Sequence, residues 1–359
     1  MDRQPTPLAQ ILAARIAREG PISVRAYMDA CLNDSEHGYY RTRHAIGAKE
    51  DFVTAPEISQ IFGELIGLWA AVVWQQMGAP ENVRLIELGP GRGTLMADAL
   101  RAAHKVPAFA RAIEVVLVEP NGALQAVQRE ALAGQATPMR WASEFSEVAA
   151  GGATILIANE ILDVLPIAQL QRSEDGWVER GVGISDNGEL TFGTTADAVP
   201  LPQLASTAQP GEIIEQRNTA NLADDLRRLA DAGAFAALFI DYGYEGPAVG
   251  DTLQAVRGQR YEDPLASPGI ADLTAHVDFA AFGADVRARG LTVDGPVPQA
   301  VLLGALGIVE RTSRLMSSNP DAAPALEAAT ARLTAPTGMG TLFKAMGLRS
   351  SHLPPLPGF

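Results

Sequence analysis

Val83-Arg84-Leu85-Ile86-Glu87-Leu88-Gly89-Pro90-Gly91-Arg92-Gly93-Thr94-Leu95 decides the reading of this chain. A short apolar run reaches an acid, glycine follows at every second position, and an Ala/Leu-rich stretch with helical spacing takes over. That is a strand, a tight turn and a helix start, the layout that aims backbone N–H groups at a bound ligand. Glycine suits such a turn because it accepts positive φ and leaves room for close backbone approach. The spacing is G-x-G-x-G, whereas the dinucleotide fingerprint is G-x-G-x-x-G, so an NAD-linked enzyme fits least. Glu87 ends the strand with a carboxylate, a partner for a cationic or hydroxylated group. S-adenosylmethionine offers an ammonium and two ribose hydroxyls and is the expected cofactor. Taken alone, the stretch also reads as a purely structural turn.

Outward from this turn the chain alternates strand and helix, the pattern of a parallel α/β sheet. Strands are expected at 83–88, 113–118, near 139–141, 154–158, 235–240, 291–293 and 341–346. Helices are expected at 94–103, 124–132, 221–232, from about 279 to 289, 301–317 and 322–333. Before the turn, Leu8, Ile11, Leu12 and Ile16 mark a helix that Gly20-Pro21 stops, and Tyr27, Met28 and Leu32 mark a second. Thr54 and Pro56 read as the start of a long helix whose apolar face runs through Ile61, Phe62, Leu65, Trp69 and Val73. The stretch 252–264 reads as polar loop. The expected organisation is a helical N-terminal region over 1–80 and a Rossmann-like sheet domain over 81–298 with an inserted hairpin at about 167–210. A helical extension over 299–337 follows, and 338–359 holds the last strand and a tail.

Ligands of such sheets bind at the carboxyl ends of the strands. The groups there are Glu87, Glu119, Asn159-Glu160 and Asp241. Gly89, Gly91, Gly93, Thr94 and Asn159 join Glu87 in the expected cofactor set, with Glu119 accepting from the ribose hydroxyls. Trp141 or its neighbours are candidates to flank the adenine, though core packing is the first reading of this tryptophan. Methyl transfer asks mainly that a nucleophile be aligned and water excluded. A cationic acceptor such as a guanidinium would need carboxylates to hold it. Glu160 and Asp163 are the candidates for that catalytic work, and helix-start capping is the alternative for both. Glu57, Asp241 and His276 are candidates for the substrate channel, with His276 also readable as a structural histidine.

Composition removes other classes. The net charge of −14 over 359 residues argues against nucleic acid and anionic membrane as partners. Cys31 is the single cysteine and the five histidines are scattered, so neither a disulfide framework nor a metal centre is expected. No G-x-S-x-G nucleophile setting and no G-x-x-x-x-G-K-[ST] phosphate loop occurs. The longest apolar run, 65–74, is too short to span a bilayer. The first residues lack the features of a secretory signal or a transit peptide, which reads as a cytoplasmic protein.

Several phrases together resemble the MidA family. They are Glu87 through Leu95, Thr54-Ala55-Pro56-Glu57-Ile58-Ser59-Gln60 with Phe62-Gly63-Glu64, and Asn159-Glu160 through Asp163-Leu165-Pro166. Asp241-Tyr242-Gly243, Asp272 through Phe279 and Leu342-Phe343-Lys344 complete the set, in the family's order along nearly the whole chain. The resemblance implies a class I S-adenosylmethionine-dependent methyltransferase fold with a seven-stranded sheet. It also implies protein arginine N-methylation with a symmetric product, since mitochondrial members act on a subunit of respiratory complex I and aid its assembly. The family's glycine loop falls on Gly89, Gly91 and Gly93, and its ribose acid on Glu119. This chain departs from the pattern at Ile161, where an aromatic is usual, and at Ala300 and Glu50, where glycine is usual. A non-catalytic, cofactor-binding assembly chaperone and a small-molecule methyltransferase are the alternative functions, and the oligomeric state stays open.

Overall fold

The computed structural model describes residues 5–42, 54–198 and 208–359; Glu50, Asp51-Phe52 and part of the expected hairpin lie outside them. The chain forms two compact units, each made of separate stretches. One comprises Val53–Ile161, Thr219–Glu245 and Phe279–Phe359, the other Met1–Phe52, Leu162–Asn218 and Gly246–Asp278. The sequence reading runs instead in consecutive stretches. The difference arises because the first helices share a core with strands 167–184, while the helix at 60–76 packs in the core of the glycine-turn sheet.

The larger unit is built on seven strands: β1 (Val83–Leu88), β2 (Ile113–Val118), β3 (Met139–Ala142), β4 (Ala153–Asn159), β5 (Phe235–Tyr244), β6 (Thr292–Pro298) and β7 (Phe343–Arg349). Their order is β6-β7-β5-β4-β1-β2-β3. The pairs from β3 to β5 are parallel, and β7 runs antiparallel to both β5 and β6. This is the expected mixed α/β sheet. The chain leaves β1 toward β2 on one side and returns as β4 on the other, which opens a crevice at the carboxyl ends of β1 and β4. Every residue of β1 is buried, as a strand covered on both faces requires. Leu85, Leu117, Ile155 and Leu238 face a core shared with helices α1 (Gln60–Gln76) and α2 (Thr94–Ala103). On strand β5, Phe239 stacks edge-on against Phe282 of the helix at Phe279–Ala288, with ring centroids 5.0 Å apart.

Helices α1 and α2 touch backbone to backbone. A Cβ on Gly67 would stand 2.3 Å from the carbonyl oxygen of Ala99, and one on Gly63 would stand 2.6 Å from Asp98 Cβ. Beside this contact the buried Glu64 takes Arg101 at 3.2 Å and Arg311 at 2.7 Å, and Arg101 also reaches Asp98 at 2.7 Å. The crossing fixes where α2 begins, and α2 begins at the glycine turn.

The smaller unit holds a five-stranded sheet from Ile22–Ser23, Ile167–Arg172, Trp177–Ile184, Leu190–Ala198 and Ile213–Arg217. Two N-terminal helices, capped by the side chains of Thr6 and Ser23, pack on it. Its buried Gln169 donates at 2.8 Å to both Glu215 and Asp251, and accepts from Arg180 at 2.8 Å.

Four local expectations are corrected. The helix from Pro56 is interrupted at Ser59, which takes extended backbone and caps α1 through Ile61 N–H, while Thr54 makes no side-chain cap. The helix expected over 301–317 is two, Gln299–Ala305 and Ile308–Ser318, divided by Gly307 at φ 86°. The stretch read as loop contains strands Gln254–Arg257 and Arg260–Glu262. The last strand runs to Arg349. Among the described residues no helix is long and apolar enough to cross a membrane.

Gly67→Ala separates propensity from packing. Alanine favours a helix over glycine by about 1 kcal/mol, yet here its methyl enters the space of Ala99. We expect a net loss of about 1–3 kcal/mol, the usual cost of overpacking, read from the urea midpoint. A gain in stability would show that the two helices can part at no cost.

Candidate active site

The turn after β1 is built as its glycines suggest. Gly89, Gly91 and Gly93 have φ of 60°, 53° and 85°, the left-handed region. Gly89 N–H donates to Val118 O at 3.1 Å, and Gly93 N–H closes the turn on Pro90 O at 2.7 Å. A Cβ on Gly89 would collide with Ile161 Cδ1 at 2.1 Å, whereas one on Gly91 would meet nothing within 4 Å. Gly91 therefore turns an open backbone surface outward. Thr94, first in α2, donates to the exposed Glu57 at 2.5 Å.

At the carboxyl ends of neighbouring strands two buried polar atoms, Glu87 Oε2 on β1 and Asn159 Oδ1 on β4, have no partner among the described residues. Glu87 is 3% exposed, and burial pushes its carboxyl up from 4.5 to about 8. An ammonium donor brought to this crevice would satisfy both acceptors and return Glu87 to its charged form. The aminoacyl end of S-adenosylmethionine is such a donor, so the residues present fit that cofactor.

At the end of β2, Glu119 is buried and accepts from Asn121 N–H at 2.8 Å and from Gln128 Nε2 at 3.3 Å. Asn121 caps α3 (Gly122–Ala131) by accepting from Ala123 N–H at 2.9 Å. Trp141 on β3 donates its indole N–H to Gln128 Oε1 at 2.9 Å, and the Arg129 guanidinium lies 3.9 Å from its ring centroid. Sequence reasoning missed Gln128. The available signal is its position four residues from both Leu124 and Leu132, a polar residue on the one line of α3 that turns inward.

At the end of β4, Glu160 holds φ 56°, costly for a residue with a Cβ. Its N–H donates to Ile240 O at 2.9 Å, and Asn159 Nδ2 donates to its carboxylate at 2.8 Å. Asp241 does not end β5 but lies within it, 1% exposed. Its oxygens accept from Ile161 N–H at 3.1 Å and Tyr242 N–H at 2.9 Å, which anchors the turn that carries Glu160.

The larger unit thus brings together Glu87, the three glycines, Thr94, Glu57, Glu119, Asn159, Glu160 and Asp241. Asp163 and His276 belong to the smaller unit. There Arg217 gathers the carbonyls of Asp163, Leu165, Ala275 and His276 at 2.9–3.2 Å. Burial holds the His276 imidazole below its ordinary 6.5, against the pull of Glu215 and with the push of Arg217. Among the described residues no cluster of His, Cys, Asp and Glu could hold a metal ion.

The raised Glu87 pKa gives a signed prediction. Between about 4.5 and 8 the folded ligand-free protein keeps a proton that the unfolded chain has released. The contribution of this group to stability therefore falls as pH rises through that window. Binding of S-adenosylhomocysteine, which carries the same ammonium, should release a proton to buffer near pH 7. Isothermal titration in two buffers of different ionisation enthalpy reads the release, and Glu87→Gln should abolish it. Undiminished release in Glu87→Gln would assign the proton to another group.

A sequence profile of S-adenosyl-L-methionine-dependent methyltransferases matches residues 65–297. The chain is 36% identical over 338 residues to protein arginine methyltransferase NDUFAF7, mitochondrial, of Danio rerio, covering 86% of this chain and 78% of that one. It is 33% identical to the Drosophila melanogaster homologue, with 98% and 87% covered. A solved methyltransferase structure from Burkholderia thailandensis, bound to S-adenosylhomocysteine, superposes with a TM-score of 0.85 at 28% identity, with 99% and 97% covered. Both curated relatives are named mitochondrial, which overturns the cytoplasmic expectation; the composition of the first residues did not carry the location. With its crevice, its glycine turn and these relatives, the chain belongs to the family of S-adenosyl-L-methionine-dependent methyltransferases.

Proposed function

We propose that this methyltransferase acts on arginine side chains of a protein, with Glu160 as the carboxylate that holds the acceptor. The observation that carries the proposal is the backbone of Glu160, held in the left-handed region at the mouth of the β1–β4 crevice. Strain of this kind persists only where neighbouring groups enforce it, and it gathers at functional sites. The enforcing groups here are Asn159, Ile240 and, through Ile161, Asp241. Relatives named protein arginine methyltransferases support arginine as the acceptor. The resemblance to the MidA family supports a respiratory complex I subunit as its carrier.

The cofactor supplies an electrophilic methyl group on a sulfonium, an excellent leaving group. Glu87 and Asn159 would hold its ammonium, Glu119 its ribose, and the backbone of Gly89–Gly93 its aminoacyl chain. Glu160 would bind the guanidinium by charge-assisted hydrogen bonds, turn one nitrogen lone pair toward the methyl group, and take up the proton that this nitrogen sheds. Asp163, the second acid expected from the sequence, belongs to the smaller unit and is given no part in this step. Thr94 would border the cofactor at the start of α2, and Glu57, which accepts from its hydroxyl, would border the acceptor. Asp241 serves by holding the backbone of the turn that carries Glu160.

Two variants test the role of Glu160. Glu160→Gln should lower arginine methylation by roughly 10²–10³-fold, the scale for losing one electrostatic stabiliser, while S-adenosylhomocysteine affinity stays within about threefold. Unchanged turnover removes Glu160 from the chemistry. Glu160→Gly relieves about 1–2 kcal/mol of left-handed strain and gives back about 0.5–1 kcal/mol of chain entropy. It should be inactive, yet at least as stable in urea as the parent; a clear loss of stability would mean that this residue is a structural support.

A further inference from the structure

We infer that Gln128 is a positioning residue for the cofactor. It sets the carboxylate of Glu119 and the peptide of Gly91 together, so that the ribose-binding and chain-binding halves of the site form as one. The inference rests on the assignment of Glu119 to the ribose.

Gln128 is 0% exposed, the one fully buried polar side chain of α3. Its amide nitrogen donates to Gly91 O at 2.7 Å and to Glu119 Oε2 at 3.3 Å, and its oxygen accepts from Trp141 Nε1 at 2.9 Å. The orientation of this amide follows from the chemistry of its neighbours. An indole N–H only donates, so it requires the amide oxygen. A carbonyl and a carboxylate accept, so they require the nitrogen and its two protons. Three elements of the site, the glycine turn, the end of β2 and β3, thus close on one side chain whose hydrogen-bonding capacity fits them. Gly93, in the left-handed region at φ 85°, lies against Gln128: a Cβ there would stand in ordinary contact with it at 3.6 Å.

Removing the amide would leave Glu119, which is buried, and Gly91 O each short of a donor. Glu119 would then turn to other donors and lose its aim at the ribose hydroxyls. A residue that merely filled space would weaken all ligands alike. A positioning residue should instead weaken ribose recognition in particular.

The test measures dissociation constants of S-adenosylhomocysteine and its 2′-deoxyribose analogue by isothermal titration. The proteins are the full chain and its Glu119→Gln, Gln128→Leu, Gln128→Glu and Trp141→Phe variants. The parent should prefer the ribose ligand by about tenfold, the scale of one lost hydrogen bond to a charged group. Glu119→Gln should shrink the preference to about twofold or less, and Gln128→Leu should do the same. When Glu119→Gln and Gln128→Leu are combined in one protein, the two effects should not add, as for residues of one network. Trp141→Phe removes only the group that orients the amide, and should cut the preference partway in a protein that stays folded. Gln128→Glu sets a second carboxylate against Glu119 and should lose binding of both ligands most severely. A preference retained in both Gln128→Leu and Trp141→Phe, while Glu119→Gln loses it, would overturn the inference alone. If Glu119→Gln also keeps the preference, the ribose assignment falls and the inference falls with it.

Discussion

A carboxyl group has been taken out of water at Glu87 and given no countercharge, and the site is arranged around that fact. Uncompensated burial of a charge is costly, so the group holds its proton up to about pH 8 unless a cation arrives. The same unit shows how this protein treats a buried acid with a structural task. Glu64 is equally enclosed and meets two arginines, Arg101 and Arg311. Glu87 lies in the middle strand of the parallel sheet, covered on both faces by apolar side chains, and among the described residues no arginine or lysine is brought to it. The chain therefore holds at the β1–β4 divergence a charge demand that a ligand can meet.

That demand is useful only if the glycine turn is held in register with it. The turn is anchored at one end by β1 and at the other by α2, whose height is set by backbone contact with α1 at Gly63 and Gly67. Helix packing fixes the start of α2, and Gln128 fixes the middle of the turn from below. Local chemistry and long-range packing converge on the same few peptide groups.

Much of this was legible in the sequence because it depends on local patterns. A strand, a turn of alternating glycines and a helix start declare themselves within thirteen residues, and the strand ends declare their acids. The breaks at Ser59 and Gly307 were not legible, since the apolar period continues across both and only tertiary packing decides where it must bend. The strands at 254–262 were hidden by polar composition: part of their pairing is to the distant segment 272–274, a contact that no local period encodes. Gln128 was hidden for a similar reason. One glutamine in an Ala/Gln-rich helix looks solvated until three distant partners are known to surround it.

Glu160 shows how the strands at the crevice share a burden. Its left-handed backbone would relax if the turn after β4 were free, and α-helical or extended residues would be cheaper there by about 1–2 kcal/mol. The turn is not free. Its N–H is tied to Ile240 on β5, the next N–H is tied to the buried carboxylate of Asp241, and Ile161 fills the place that a side chain on Gly89 would need. The absence of a side chain on Gly89 and the presence of one on Ile161 are thus one feature seen from two strands.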